Sequence, residues 1–267
     1  MTPLQAIALG IIQGLSEFLP ISSSAHLALA PWLFGWEDPG LAFDVALHFG
    51  TLLALLWYFR MEWLALVRGA VGIVTTGRIE TPEKRKVIHL IIATIPGAIG
   101  GYLLQSRAES AFRSPQLIAI ALIAMGVVLW LVDKLVDQAR VLGEMRWVDA
   151  ILIGLSQVVA LIPGVSRSGS TITSGRGLRF DRESAAEFSF LMSGPIIAAA
   201  IIVEAPKALA QGGLTNEIMS GVLASAISGW LAISILMRYI SRHSYGIFAF
   251  YRVALGIAVL SVIYARG

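Results

Sequence analysis

Two stretches decide the fold: Gln13-Gly-Leu-Ser-Glu-Phe-Leu-Pro-Ile-Ser-Ser-Ser-Ala-His26 and Pro163-Gly-Val-Ser-Arg-Ser-Gly-Ser-Thr171. Each interrupts an apolar segment, 4–34 and 148–178, with a proline followed by serines or glycines that cannot continue a helix smoothly. Irregular backbone is tolerated at membrane depth only inside protein or beside a cavity. Each segment therefore predicts a helix-break-helix hairpin that enters the membrane and returns.

The rest of the chain supplies that membrane context. Of 267 residues, 57% are hydrophobic and 14% charged, against about 45–50% and about 25% in soluble domains. Stretches 41–60, 87–105, 116–133, 184–205, 216–238 and 246–265 are long enough to span, since a hydrocarbon core takes about 20 helical residues. The expected fold is all-α: one integral membrane domain over 1–267, with six transmembrane helices and two re-entrant hairpins. There are no cysteines, which excludes disulfides and thiolate chemistry. The basic residues form no continuous face, so nucleic acid is not an expected partner. Met1-Thr-Pro-Leu4 lacks the features of a cleaved signal, so the first segment is expected to be retained.

Sidedness follows from the loops. Segments 60–86, 133–147, 176–183 and 238–245 hold fourteen Lys and Arg, whereas Arg107, Arg113, Lys207 and Arg266 fall on the other side. The positive-inside bias then puts both termini outside. Gly10-Ile-Ile-Gln13 before Ser22 parallels Gly154-Leu-Ser-Gln157 before Ser166, with the serine nine residues after the glutamine in each case. On the assigned sidedness the hairpins enter from opposite faces, so 1–115 and 116–267 are expected to be inverted repeats whose tips meet near the midplane.

Ionisable groups at that depth are costly and mark function. Gln13 and Glu17 share a helix face, and Glu17 and His26 flank the first break with Ser22, Ser23 and Ser24 between them. The second break presents Ser166, Arg167, Ser168 and Thr171 at the start of its returning helix, a pattern suited to a phosphate oxyanion, or else Arg167 pairs internally with Glu17 or Glu187. Asp44, His48 and Thr51 form one polar stripe on the first span, and Asp44 could support the acidic site. Arg252 sits in an apolar segment with no partner assigned.

The two opening stretches resemble motifs of the bacterial undecaprenyl-diphosphate phosphatase family of the bacitracin-resistance type. Gln13 through His26 matches its Glu/Gln-x-x-x-Glu and Pro-x-Ser-Ser-x-x-His elements, and Pro163 through Thr171 its Pro-Gly-x-Ser-Arg-Ser-x-x-Thr element. Gln13 stands where many members carry glutamate, leaving Glu17 as the main acidic group. The resemblance implies hydrolysis of the C55 prenyl diphosphate to the monophosphate and inorganic phosphate, in the bacterial plasma membrane with the active site toward the outside. It implies a divalent cation, Mg²⁺ or Ca²⁺, with Glu17, assisted by Gln13, either holding it or acting as acid/base. Ser23, activated by His26, is then the foremost nucleophile, with His26 itself or water as the alternatives, while Ser22, Ser166, Arg167, Ser168 and Thr171 bind the diphosphate. Membrane lipids are expected partners, and a homodimer is an expected assembly. Broken midplane helices also suit a secondary transporter or lipid flippase, the alternative reading. The acid-phosphatase-like mechanism is excluded, because Thr173 stands where its nucleophilic histidine would follow the arginine.

Overall fold

A computed structural model describes residues 1–110, 114–213 and 215–266, without the side chains of 41, 105–110, 205 and 207–212. Among them it is all helix: α1 Pro3–Phe18, α2 Ser23–Phe34, α3 Leu41–Tyr58, α4 Arg60–Thr76, α5 Pro82–Ser110, α6 Pro115–Leu135, α7 Trp147–Val159, α8 Arg167–Gly177, α9 Arg182–Gly212, α10 Asn216–Ile240 and α11 Gly246–Arg266. A single 3₁₀ turn at Leu142–Glu144 precedes α7. Five helices are long and apolar enough to cross a membrane, and α3 with α4 makes a sixth candidate. The expected spans correspond to α3, α5, α6, α9, α10 and α11. The chain is a polytopic membrane protein.

Both hairpins are present, α1 with α2 and α7 with α8. Their helices of 16, 12, 13 and 11 residues fall short of the about 20 needed to span. Segment 60–86 differs from the expected loop, because most of it is α4, whose axis lies at 83° to that of α3. Met61, Leu64, Val67, Val71 and Val74 give α4 an exposed apolar side that sustains a helix, while the turn at Phe59 (φ −94°, ψ 28°) redirects the chain. Of the four basic residues expected outside, Arg113 and the side chains of Arg107 and Lys207 lie outside the described residues.

Glycine sets the closest packing. A β-carbon at Gly10 would lie 2.3 Å from the Gly221 carbonyl oxygen of α10, and one at Gly154 would lie 2.5 Å from that of Ala93 in α5. Only the missing side chain lets α1 seat on α10 and α7 on α5. The two glycines are those of the matched Gly-x-x-Gln sequences, so the sequence parallel marks a packing parallel. α3 lies against α9, and α6 against α11.

One polar knot fixes an end of the bundle. The buried Asp133 carboxylate of α6 accepts from Arg176 Nε (3.0 Å), Arg182 Nε (2.9 Å) and the Tyr245 backbone N–H (2.9 Å). It thereby joins the ends of α6, α8, α9 and α11. Arg176, itself fully buried, also donates to the carbonyls of Phe180 and Val136. A buried charge is tolerable when its donors and acceptors are met in this way.

Candidate active site

The two hairpin tips share a local design. Ser22 caps α2 and Ser166 caps α8, both with left-handed backbone (φ 78° and 73°), and each hydroxyl accepts from the N–H three residues on. A non-glycine residue at positive φ costs free energy and persists where surrounding structure holds it. Proline just before Ile21-Ser22 and glycine just before Val165-Ser166 supply the turn. The result points two helix N-termini into one region, each with partial positive charge.

Between them stands Glu17, buried at 5% exposure. Its Oε2 accepts from Ser23 Oγ at 2.6 Å and from Gln13 Nε2 at 3.1 Å, while its Oε1 accepts from Arg167 Nη2 at 2.6 Å. One carboxylate therefore joins both hairpins, across a sequence separation of 150 residues. His48 Nε2 of α3 lies 3.6 Å from Oε2, beyond hydrogen-bond length. Its Nδ1 donates to the Asp44 carbonyl at 2.7 Å.

His26 faces elsewhere. Its Nδ1 lies 2.7 Å from the Ser22 carbonyl oxygen, which can only accept, so that nitrogen carries the hydrogen. Its Nε2 lies 2.8 Å from the Tyr251 hydroxyl of α11, and the rings stack at 5.7 Å. In the neutral ring Nε2 accepts a hydrogen bond from the Tyr251 hydroxyl. Next to Tyr251, the fully buried Arg252 donates to the Pro20 carbonyl (3.1 Å) and to those of Gly164 and Val165 (2.8 Å each). One guanidinium thus clasps both tips through backbone oxygens that their turns leave unpaired.

The structure brings together Gln13, Glu17, Ser23 and Arg167 as the sequence suggests, and departs from it in three places. Ser23 is bonded to Glu17, whereas both ring nitrogens of His26 are engaged by Ser22 and Tyr251. Along the α3 stripe it is His48 that approaches Glu17, one turn beyond Asp44. The hydroxyls expected on phosphate have partners within the protein: Ser166 caps its helix, Ser168 donates to the Leu19 carbonyl, and Thr171 bonds Arg167 O and Ser189 Oγ. Tyr251 and the role of Arg252 were not legible from spacing, because their partners lie 87 to 232 residues away. The one signal was an arginine inside an apolar span.

The Bacitracin resistance protein BacA family model matches residues 6–258. The chain belongs to that family. An undecaprenyl-diphosphatase of Gemmatimonas aurantiaca is 59% identical to it over 266 residues, covering 100% of both chains. Those of Pelotomaculum thermopropionicum and Moorella thermoacetica are 48% and 47% identical, covering 100% of this chain and 98% and 100% of their own. BacA family membership therefore covers both hairpins and every residue around Glu17.

The donor set also bears on a metal. Gln13 Oε1 is buried and has no hydrogen-bond partner, while its amide nitrogen is fixed on Glu17. An orphaned carbonyl oxygen beside a carboxylate is what a hard divalent cation takes as ligand. Among the described residues no three His, Cys, Asp or Glu cluster, so an ion here would complete its shell with water and substrate oxygens, as Mg²⁺ does readily.

Proposed function

We propose that this BacA family member hydrolyses undecaprenyl diphosphate to undecaprenyl phosphate and inorganic phosphate in the bacterial plasma membrane. The observation that carries the reading is Glu17 holding Ser23 on one oxygen and Arg167 on the other, at the junction of two helix N-termini. A diphosphate ester needs stabilisation of charge on the transferred phosphoryl group and an activated oxygen nucleophile. Arg167 and the N-termini of α2 and α8 meet the first need, Ser23 and Glu17 the second.

In the proposed mechanism the terminal phosphate enters between the tips and Arg167 turns from Glu17 to two of its oxygens, where its fork matches phosphate geometry. Ser23 Oγ attacks the terminal phosphorus as Glu17 accepts the hydroxyl proton. An Oγ–P bond forms, the bridging P–O bond breaks, and the lipid monophosphate departs. Glu17 releases that proton to the departing lipid phosphate; water then attacks the phosphoserine and gives a proton to Glu17, the P–Oγ bond breaks, and Glu17 returns the proton to Ser23 Oγ as inorganic phosphate leaves. Glu17 is the base nearest Ser23. His26, tied to Ser22 and Tyr251, fixes the first tip. Glu17 and Gln13 would hold Mg²⁺ or Ca²⁺, which when bound neutralises diphosphate charge.

The same reading places the site and both termini outside. It also takes 1–115 and 116–267 as inverted repeats, supported by the α1–α10 and α7–α5 pairings. The deciding experiment is phosphate release from undecaprenyl diphosphate by the purified protein in detergent, with Mg²⁺ or Ca²⁺ and no gradient. Release lost in Glu17→Ala is the expected result. No release by the unmodified chain with either metal overturns the proposal, and it would favour a transporter.

A further inference from the structure

The C-terminal end of α10 carries a second feature, remote in the fold from Glu17. A cavity of about 560 Å³ is lined by Ile235, Arg238, Tyr239, Ser241, Arg242 and His243. Ile235, Arg238 and Arg242 recur at i, i+3 and i+7, so they form one stripe along the helix and its first turn beyond. The stripe runs from apolar to basic. Ile235 is 62% exposed within the span, and the two arginines follow at and just past the end of a 25-residue helix.

The notch is held in shape. Tyr239 and His243 stack at 4.5 Å, Phe248 of α11 meets the Tyr239 ring edge at 5.8 Å, and Ser241 Oγ donates to the Arg238 carbonyl at 2.8 Å. His243 Nδ1 lies 3.1 Å from the Tyr239 carbonyl and carries its hydrogen there. Among the described residues, no carboxylate pairs with Arg238 or Arg242 and no acceptor holds either guanidinium, and no acidic residue lines the notch. A charge that served topology alone would need no such geometry.

We propose that this notch binds the headgroup of an anionic phospholipid. The phosphodiester sits on the Arg238 and Arg242 forks, and an acyl chain runs along Ile235. Depth selects a lipid, because the end of a span lies at headgroup level and the residue one turn inside it lies against the chains. Charge selects an anionic headgroup. Guanidinium forks match phosphate oxygens, and basic residues at a span end are favoured by anionic leaflets.

The test follows thermal unfolding of the purified full-length protein in neutral detergent while phosphatidylglycerol, phosphatidylcholine or inorganic phosphate is added. Selective binding to the folded state raises the midpoint with concentration. Phosphatidylglycerol is expected to raise it and phosphatidylcholine is not. The double variant Arg238→Gln, Arg242→Gln is expected to weaken that response about thirtyfold in lipid concentration, from about 1 kcal/mol per cation. Arg78→Gln, which removes an exposed loop cation paired with Glu80, is expected to leave it unchanged. Should the double variant not fold, Arg242→Gln alone, in the exposed turn, is expected to weaken the response about fivefold. An equal response to phosphatidylcholine, an undiminished response to phosphatidylglycerol in the variants, or an equal response to inorganic phosphate that the variants lose overturns the proposal.

Discussion

At the scale of single residues, Glu17 has two duties that its substitutions separate. As the acceptor of the Ser23 proton it contributes to the chemical step, for which removal of a general base costs about 10²–10⁴-fold. As the partner of Arg167 it keeps a guanidinium from an unpaired position in a site of low dielectric. Glu17→Gln keeps the shape but cannot take the proton, so kcat, which reads the first duty, should fall at least about a hundredfold, and the unfolding midpoint, which reads the second, should fall as Arg167 loses its charged partner. Near-parental turnover would remove Glu17 from the mechanism. Ser23→Ala should be equally inactive, and it should form no phosphoenzyme on an acid-quenched gel. Substantial activity would show that water attacks directly. Of these residues, Gln13, Glu17, Ser23 and Arg167 were legible because polar side chains at membrane depth stand out against their neighbours. The partner of His26 was not, since adjacency to Ser23 in sequence says little when a turn with φ 78° at Ser22 redirects the chain.

Arg252 supports a stability prediction of the same scale. Its replacement by leucine leaves three carbonyl oxygens, of Pro20, Gly164 and Val165, without their donor. Each unsatisfied buried acceptor costs about 1–3 kcal/mol, so Arg252→Leu should lose at least about 3 kcal/mol. A fall in the detergent unfolding midpoint, with loss of phosphatase activity, would register it. A midpoint unchanged within error would mean that the clasp carries no weight.

At the scale of elements, the helices were legible where periodic apolar runs meet clear stops. Pro115 opens α6 behind a Ser114 cap, Asp181 caps α9, and the tips announce themselves by proline, glycine and serine. α4 was not legible as a separate helix, because an 83° turn at Phe59 uses no glycine or proline to mark it. Helix contacts give the matching prediction. In Gly154→Leu the new side chain begins 2.5 Å from the Ala93 carbonyl oxygen, which must push α7 from α5. Overpacking of this kind costs about 1–3 kcal/mol. It should lower the unfolding midpoint and also impair turnover, because α7 leads into the tip that carries Arg167. Leucine at Gly143, where a β-carbon meets nothing within 4 Å, should change neither property.

At the scale of the whole molecule, orientation is the property that substitution chemistry can read. The chain has no cysteine, so a single introduced thiol is a clean reporter. Glu37, exposed between α2 and α3, and Glu80, exposed between α4 and α5, lie at opposite ends of α3 with its continuation α4. An impermeant thiol reagent applied to intact cells should label Glu37→Cys and spare Glu80→Cys. The reverse pattern would place Glu17 and the hairpin tips toward the cytoplasm. The fold at this scale was largely written in hydropathy and in the basic loops. The seating of α1 on α10 and of α7 on α5 was not, since that depends on which helices touch.

The clasp by Arg252 also has a consequence in time. A ribosome delivers the two hairpins long before α11, because Arg252 follows Val165 by 87 residues. A nascent chain that already contains Glu17, Ser23 and Arg167 thus holds every atom of the proposed reaction, yet lacks the guanidinium that clasps both tips and the Tyr251 hydroxyl that receives His26. Maturation of the site is therefore coupled to insertion of α11. A chain arrested after α10 should remain inert, and supplying α11 as a separate co-expressed segment should awaken it.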